Sequence, residues 1–289
     1  MATTREWIAG ARPRTLPAAT APVLVGSGAA AQVGEFAWVP ALLALGVALA
    51  LQVGVNYAND YSDGVRGTDV DRVGPLRLTA SRAAPPGQVQ AAAFAALGVA
   101  GVLGLLLCAV SGHWWLLAVG ALCVLAAWYY TGGRRPYGYL GLGEVGVFVF
   151  FGLVATLGTA YTQADRITWP AVLGAVGVGL IACALLMVNN VRDIPTDVAA
   201  GKRTLAVRVG DRRARRLYTA WMVLPVLLGA LCAFWAPWTL VVLFLLLPAV
   251  LLSTPVLAGV RGRLLVPVLA GTGLFELGYG VLLGFGLAL

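Results

Sequence analysis

Two clusters of Asn and Asp stand at the ends of long apolar runs: Asn56-Tyr57-Ala58-Asn59-Asp60-Tyr61-Ser62-Asp63 and Asn189-Asn190-Val191-Arg192-Asp193-Ile194-Pro195-Thr196-Asp197. They hold four of the chain's twelve acidic residues, in a sequence that is 60% hydrophobic and only 11% charged. On a helix, Asn56, Asp60 and Asp63 share one face, and Asn190, Asp193 and Asp197 repeat the three-and-four step. Pro195 can break the second helix, which would put Asp197 on a loop. Carboxylates converging at a membrane boundary repel one another and are costly to desolvate unless cations neutralise them. Oxygen-only ligands point to a hard ion. Magnesium fits best, since it binds through one or two carboxylates and takes its remaining ligands from water and phosphates. There is no His/Cys set with zinc spacing.

Basic residues accompany the acids: Arg66, Arg72 and Arg77 after the first cluster, and Arg192, Lys202 and Arg203 with the second. Arg134 and Arg135 fall on the same side of the predicted topology. Carboxylates mixed with cations suit a diphosphate, whose oxygens bridge metal ions while Arg and Lys take the remaining charge. The competing explanation is that these cations only set topology or meet anionic lipid.

The elements that must carry the clusters are membrane helices. A mean hydropathy of +0.87 and long uncharged runs exclude an ordinary soluble domain. Runs of about 20 apolar residues cross a hydrocarbon core of about 30 Å as helices, whereas a barrel shows short alternating segments. The expected fold is all-α, with nine spans at 16–33, 37–58, 88–110, 114–131, 140–161, 168–190, 216–236, 238–258 and 265–287. Of the twenty Lys and Arg residues, all but Arg166 then lie on the N-terminal side. The positive-inside rule makes the N-terminus cytoplasmic and the C-terminus external, in a multi-pass protein of a cell membrane. The pI of about 9.7 is therefore read as topology and not as nucleic-acid binding. Met1 to Thr15 carries three arginines and no small-residue cleavage site, so it does not read as a removable signal.

The long polar segments 59–87 and 191–215 each follow one acidic cluster and cap a single domain spanning 1–289. Four crossings separate the clusters, which returns them to one face. Gly98, Gly101, Gly104, Gly280 and Gly284 are expected to let helix backbones approach. The four cysteines fall inside spans and read as packing residues; His113 is given no chemistry. Glu276, near the middle of the last span, is expected to be neutral and hydrogen-bonded. Glu144 is the better functional candidate, as a base or positioning group for a phenolic hydroxyl.

A diphosphate at a membrane face beside an apolar bundle implies a polyprenyl diphosphate, whose tail gains about 0.8 kcal/mol per buried methylene. Metal-assisted loss of diphosphate leaves an allylic cation, which the faces of Tyr57, Tyr61, Tyr129, Tyr130 or Phe150 can stabilise.

Asn59-Asp60-x-x-Asp63 followed by Asp193-x-x-x-Asp197 resembles the paired aspartate motifs of the UbiA-type intramembrane prenyltransferases. Within that family the chain is most similar to the branch that prenylates 1,4-dihydroxy-2-naphthoate in menaquinone synthesis. The matching stretches are Arg12-Pro-Arg14-Thr-Leu-Pro-Ala, Asn59 to Asp69, Asp71 to Arg77, Gly143-Glu144-Val and Asn189 to Asp193. The resemblance implies a nine-helix bundle with cytoplasmic cap loops, in which Asp60, Asp63, Asp193 and Asp197 hold Mg2+ and, through it, the diphosphate. Asn59 assists, with Asn56, Asn189, Arg66 and Tyr130 as further substrate-side candidates. Lys202 and Arg135 match positions where a cation contacts the diphosphate. Gly67 stands where the usual pattern carries another Asp, leaving the metal role of Asp69 and Asp71 open. The implied reaction gives demethylmenaquinone with loss of the acceptor's carboxyl group, and Arg14 or Arg77 is the candidate for that carboxylate. 4-Hydroxybenzoate, homogentisate or haem are the alternative acceptors. A transporter, with acids near midplane on broken helices, and a CDP-alcohol phosphatidyltransferase, whose Ala-Arg pair is missing after Asp63-Gly64, are the rival classes.

Overall fold

The computed structural model describes residues 2–67 and 76–289, so Asp69, Asp71 and Arg72 lie outside the described residues. A short helix α1 (Thr4–Ala11) opens the chain, capped by the Thr3 hydroxyl and by Glu6 reaching back to the cap. It is followed by α2 (Leu16–Ala31), α3 (Trp38–Arg66), α4 (Pro86–Ser111) and α5 (Leu116–Tyr129). A tight turn at Tyr137–Leu140 leads to α6 (Gly143–Val147), which runs through a π-helical stretch, Phe148–Val154, into α7 (Ala155–Ala164). Then come α8 (Trp169–Ala199), the short α9 (Leu205–Val209), α10 (Asp211–Leu231), α11 (Leu246–Leu257) and α12 (Val266–Ala288).

Among the described residues, seven helical segments are long and apolar enough to cross a membrane. The other two expected spans are the 16-residue α2 and the 14-residue α5, shorter than the roughly 20 residues a perpendicular crossing needs. Two helices are much longer than that. At 1.5 Å per residue, the 29 residues of α3 and the 31 of α8 measure about 43 and 46 Å. Each therefore overshoots a hydrocarbon core of about 30 Å by roughly three turns, and the overshoot carries the acidic cluster.

Helix α8 is the axis of the bundle, with two thirds of its apolar window buried. Its start is set by the Thr168 hydroxyl, which accepts from the Ala171 N–H, and by Pro170 in the first turn. Pro195 does not break it. The helix continues to Ala199, so Asp193 and Asp197 are one turn apart on one face, and Asp197 is not on a loop.

The glycines divide in two. Gly280 and Gly284 are close-approach positions: an added Cβ would stand 2.7 Å from Ala21 Cα and 2.6 Å from the Leu24 carbonyl, which locks α12 onto α2. Gly98, Gly101 and Gly104 have no neighbour within 4 Å of an added Cβ and pack no helix. The last two line an internal cavity instead, because their missing side chains leave space.

Glu276 is fully buried, and neither carboxylate oxygen has a hydrogen-bond partner, which corrects the expected hydrogen bond. Cys108, Cys183 and Cys232 are buried thiols, as packing residues should be. His113 lies in the α4–α5 connection, 3.5 Å from Asp165 and with its ring tilted against that of Tyr161.

Candidate active site

The two acid-bearing helix ends open onto one cavity. Asp63, in the last turn of α3, takes a hydrogen bond from the Tyr139 hydroxyl, and Lys202 Nζ lies 3.6 Å from its Oδ1. Arg77 Nη2 is 3.8 Å from Oδ2. Segments distant in sequence thus converge on one carboxylate that is 3% exposed. Lys202 reaches it because the chain reverses just after α8. Gly201 takes φ +72°, a left-handed turn that glycine adopts without strain, and the Lys202 N–H closes onto the Asp197 carbonyl at 2.8 Å. The Arg203 N–H then donates to the Tyr139 carbonyl at 2.9 Å, tying this turn to Tyr137–Leu140. Lys202 Nζ also lies 4.4 Å above the Tyr139 ring, a cation–π contact.

On α8, Arg192 grips its neighbour Asp193 with two hydrogen bonds of 2.6 Å and donates to the Asn189 side chain at 2.9 Å. The Thr204 hydroxyl reaches Asp197 at 3.4 Å. Thr131 donates to the Asn59 side-chain oxygen at 2.7 Å, so the turn after α5 helps to orient α3.

These groups form the polar mouth of one cavity of about 1600 Å³. Of the residues singled out from sequence, Asn56, Asn59, Asp63, Arg77, Tyr130, Asn189, Asp193, Asp197, Lys202 and Arg14 line it. Below the mouth the walls turn apolar. The cavity follows α7 from Val154 past Gly158 to Thr162 and reaches Leu116 and Leu117 at the start of α5, which places its floor at the far end of the bundle.

Four sequence candidates lie outside the lining. Both Asp60 oxygens accept backbone N–H groups, from Leu78 at 2.7 Å and Thr79 at 2.9 Å. That carboxylate, 1% exposed, shapes the segment carrying Arg77. Arg66 donates to the carbonyls of Thr131 and Gly133. Arg135 is exposed. Glu144 stands behind Asn190, whose amide donates to its Oε1 at 3.0 Å. Replacing Asp60 by Ala is expected to strand two buried N–H groups, at about 1–3 kcal/mol each. The result should be a lowered thermal midpoint and new proteolytic cleavage at 76–84; unchanged protection would refute this role.

Among the aromatic candidates, only Tyr130 and Phe150 face the cavity. Tyr57 donates to the Trp7 carbonyl, Tyr61 stacks on Trp128, and Tyr129 is half exposed. Sequence reasoning missed Tyr139, Tyr137 and Phe151, all on the lining. The signal available was the Pro136-Tyr-Gly-Tyr run beside the basic pair Arg134-Arg135. Burial pushes the Tyr137 hydroxyl up to about 12, so at neutral pH it is an uncharged phenol.

The donor set at the mouth is all oxygen, which fits a hard cation in chemical type. Among the described residues no three acidic, His or Cys side chains gather into a cage. Asp63, Asp193 and Asp197, with Asn59 and Asn189, are oxygen-bearing side chains of this kind on the lining.

Residues 19–261 match the UbiA prenyltransferase family. A 1,4-dihydroxy-2-naphthoate octaprenyltransferase of Mycobacterium tuberculosis (strain ATCC 25618 / H37Rv) is 53% identical over 95% of this chain and 94% of its own length. A protein of the same description from Escherichia coli (strain K12) is 41% identical over 76% of this chain and 73% of its own. Among solved structures, a UbiA homolog from Archaeoglobus fulgidus bound to GPP and Mg2+ superposes with a TM-score of 0.69. It covers 98% of this chain and 99% of its own at 14% identity, a likeness of fold.

Proposed function

This chain belongs to the UbiA prenyltransferase family, and on that premise we propose that it transfers a polyprenyl group from polyprenyl diphosphate to 1,4-dihydroxy-2-naphthoate. The observation that carries this reading is the shape and polarity of the cavity. Carboxylates and cations are confined to one end, and an apolar chamber runs from them to the far end of the bundle. A long hydrocarbon with a doubly charged head matches that gradient, and a transporter's midplane ion site does not. The names of the relatives supply the acceptor.

In this reading Asp63, Asp193, Asp197, Asn59 and Asn189 hold Mg2+, with Asp60 as the anchor of the Arg77 segment. Bound magnesium neutralises the diphosphate and makes it a better leaving group. Lys202 and Arg77 take the remaining negative charge as the C1–O bond breaks and its electron pair leaves with the diphosphate. Tyr130 and Phe150 present ring faces to the allylic cation. A ring carbon of the naphthoate attacks C1, and the carboxylate departs as carbon dioxide, returning its electron pair to the ring. No net oxidation occurs, so the product released is the quinol form of demethylmenaquinone. Glu144 acts through Asn190 on the same wall, and Arg14 or Arg77 meets the acceptor's carboxylate.

The chain sits as one domain in a bacterial cell membrane, among its lipids, with the N-terminus and the capping segments 59–87 and 191–215 on the cytoplasmic side. The test is direct. Purified protein in detergent, given Mg2+, a polyprenyl diphosphate and 1,4-dihydroxy-2-naphthoate, is expected to release diphosphate and form a prenylated, decarboxylated product identified by mass. Chelation should abolish the product. Faster turnover of 4-hydroxybenzoate or homogentisate would replace the acceptor, and no product with any acceptor would remove the reading.

A further inference from the structure

One polar group on the cavity wall is left with nothing to bind. Gln52 lies on α3, seven residues before Asn59 and so about 10 Å deeper along the helix. It lines the cavity and is 7% exposed, yet its Oε1 is buried without any hydrogen-bond partner. A buried acceptor in that state has lost its water without a protein partner in exchange.

The orientation of this amide is dictated by its neighbours. The Asn56 amide nitrogen donates to the Ala11 carbonyl at 2.9 Å, and a carbonyl can only accept. Asn56 Oδ1 is thereby turned toward Gln52, whose Nε2 lies 3.4 Å away. The Thr15 hydroxyl donates to the Arg12 carbonyl at 2.9 Å, so toward the amides it can only accept. It does so from Gln52 Nε2 at 3.0 Å and from Asn56 Nδ2 at 2.9 Å. Two backbone carbonyls thus determine which end of the Gln52 amide faces its protein partners. Flipping it would set its oxygen against two acceptors. The oxygen that remains over is held by design of the network, on a wall it shares with Arg14.

We propose that Gln52 binds the aromatic acceptor, its Oε1 accepting a hydrogen bond from a ring hydroxyl. The inference rests on the prenyltransferase reading of this cavity and adds to it the group that recognises a hydroxylated ring. Only a donor satisfies Oε1, and the polyprenyl chain has none. The hydroxylated acid is the substrate that brings one. Its depth places the ring below the diphosphate mouth. The hydrogen bond also shifts electron density from the hydroxyl into the ring, which favours attack on a cation.

The experiment compares binding of 1,4-dihydroxy-2-naphthoate with 1-hydroxy-2-naphthoate and 4-hydroxy-2-naphthoate to detergent-purified protein holding Mg2+. The wild-type protein should bind one monohydroxy analogue about tenfold more weakly, the size of one neutral hydrogen bond. Gln52→Met should bind that analogue and the parent alike, with its affinity for polyprenyl diphosphate unchanged. Thr15→Val disturbs the same cluster but leaves Oε1 in place, so it should keep the tenfold preference. Equal binding of all three acids by the wild-type protein, or a preference that survives in Gln52→Met, would overturn the assignment. Loss of the preference in Thr15→Val as well would reduce Gln52 to a structural strut. Absence of prenylated product counts against the functional reading alone, because the binding comparison needs no turnover.

Discussion

Asp63→Asn is expected to lower kcat by about 10²- to 10³-fold, the range seen when one preorganised electrostatic group is removed from a transition state. The size follows from position. Asp63 is the point where α3, the Tyr137–Leu140 turn and the segment after α8 meet, through Tyr139, Arg77 and Lys202. An amide of the same shape keeps the packing and one oxygen but removes the charge that holds two cations together. Arg77 and Lys202 would then lose the carboxylate they share, which costs more than the loss of an exposed pair because all three groups are buried. The donor's diphosphate supplies replacement negative charge, so its KM should change much less than kcat. Initial rates with saturating acceptor measure both. A kcat within tenfold of wild type would show that Asp63 is not part of the machinery.

Lys202→Met is expected to act on the other parameter. Its ammonium is buried between Asp63 and the Tyr139 ring, where a substrate phosphate can take a charge-assisted hydrogen bond worth about 1.5–3 kcal/mol. The KM for polyprenyl diphosphate should rise about 10- to 100-fold while the KM for the acceptor stays put. Lys202→Arg should recover part of the loss, since the charge returns but the compact ammonium geometry does not. An equal rise in both KM values would mean that the substitution had distorted the mouth as a whole.

Both substitutions target residues visible in the sequence, and the reason is instructive. Acids are so costly in an apolar setting that Asp63, Asp193 and Asp197 stood out against a chain with 11% charge. The helical period then placed them on common faces without any knowledge of packing. The apolar segments were equally legible, because a span of given thickness demands a run of given length. What could not be read was the direction of each side chain. Asp60 has the same spacing credentials as Asp63, yet it turns away from the cavity to hold Leu78 and Thr79. Tyr139 carries no motif, and its role exists only because the Arg203 N–H draws the Tyr137–Leu140 turn against the end of α8. Pro195 left open a break in the helix, but α8 absorbs it in its last turns, and Asp197 remains on the helix.

Taken alone, the residues determined that this chain is a helical membrane protein, and they set the expectation of a diphosphate-and-metal chemistry at one face. Those properties follow from local quantities: hydropathy summed over a window, charge on alternate connections, and spacing along a helix. Tertiary structure decided which acids open onto the cavity, which lysine and tyrosine join them, and how deep the apolar chamber runs. It also left the Gln52 oxygen without a partner, because that depends on Ala11 and Arg12 carbonyls some forty residues away. Hydrogen-bond direction between distant segments is a property of the packed whole, and no window of sequence contains it.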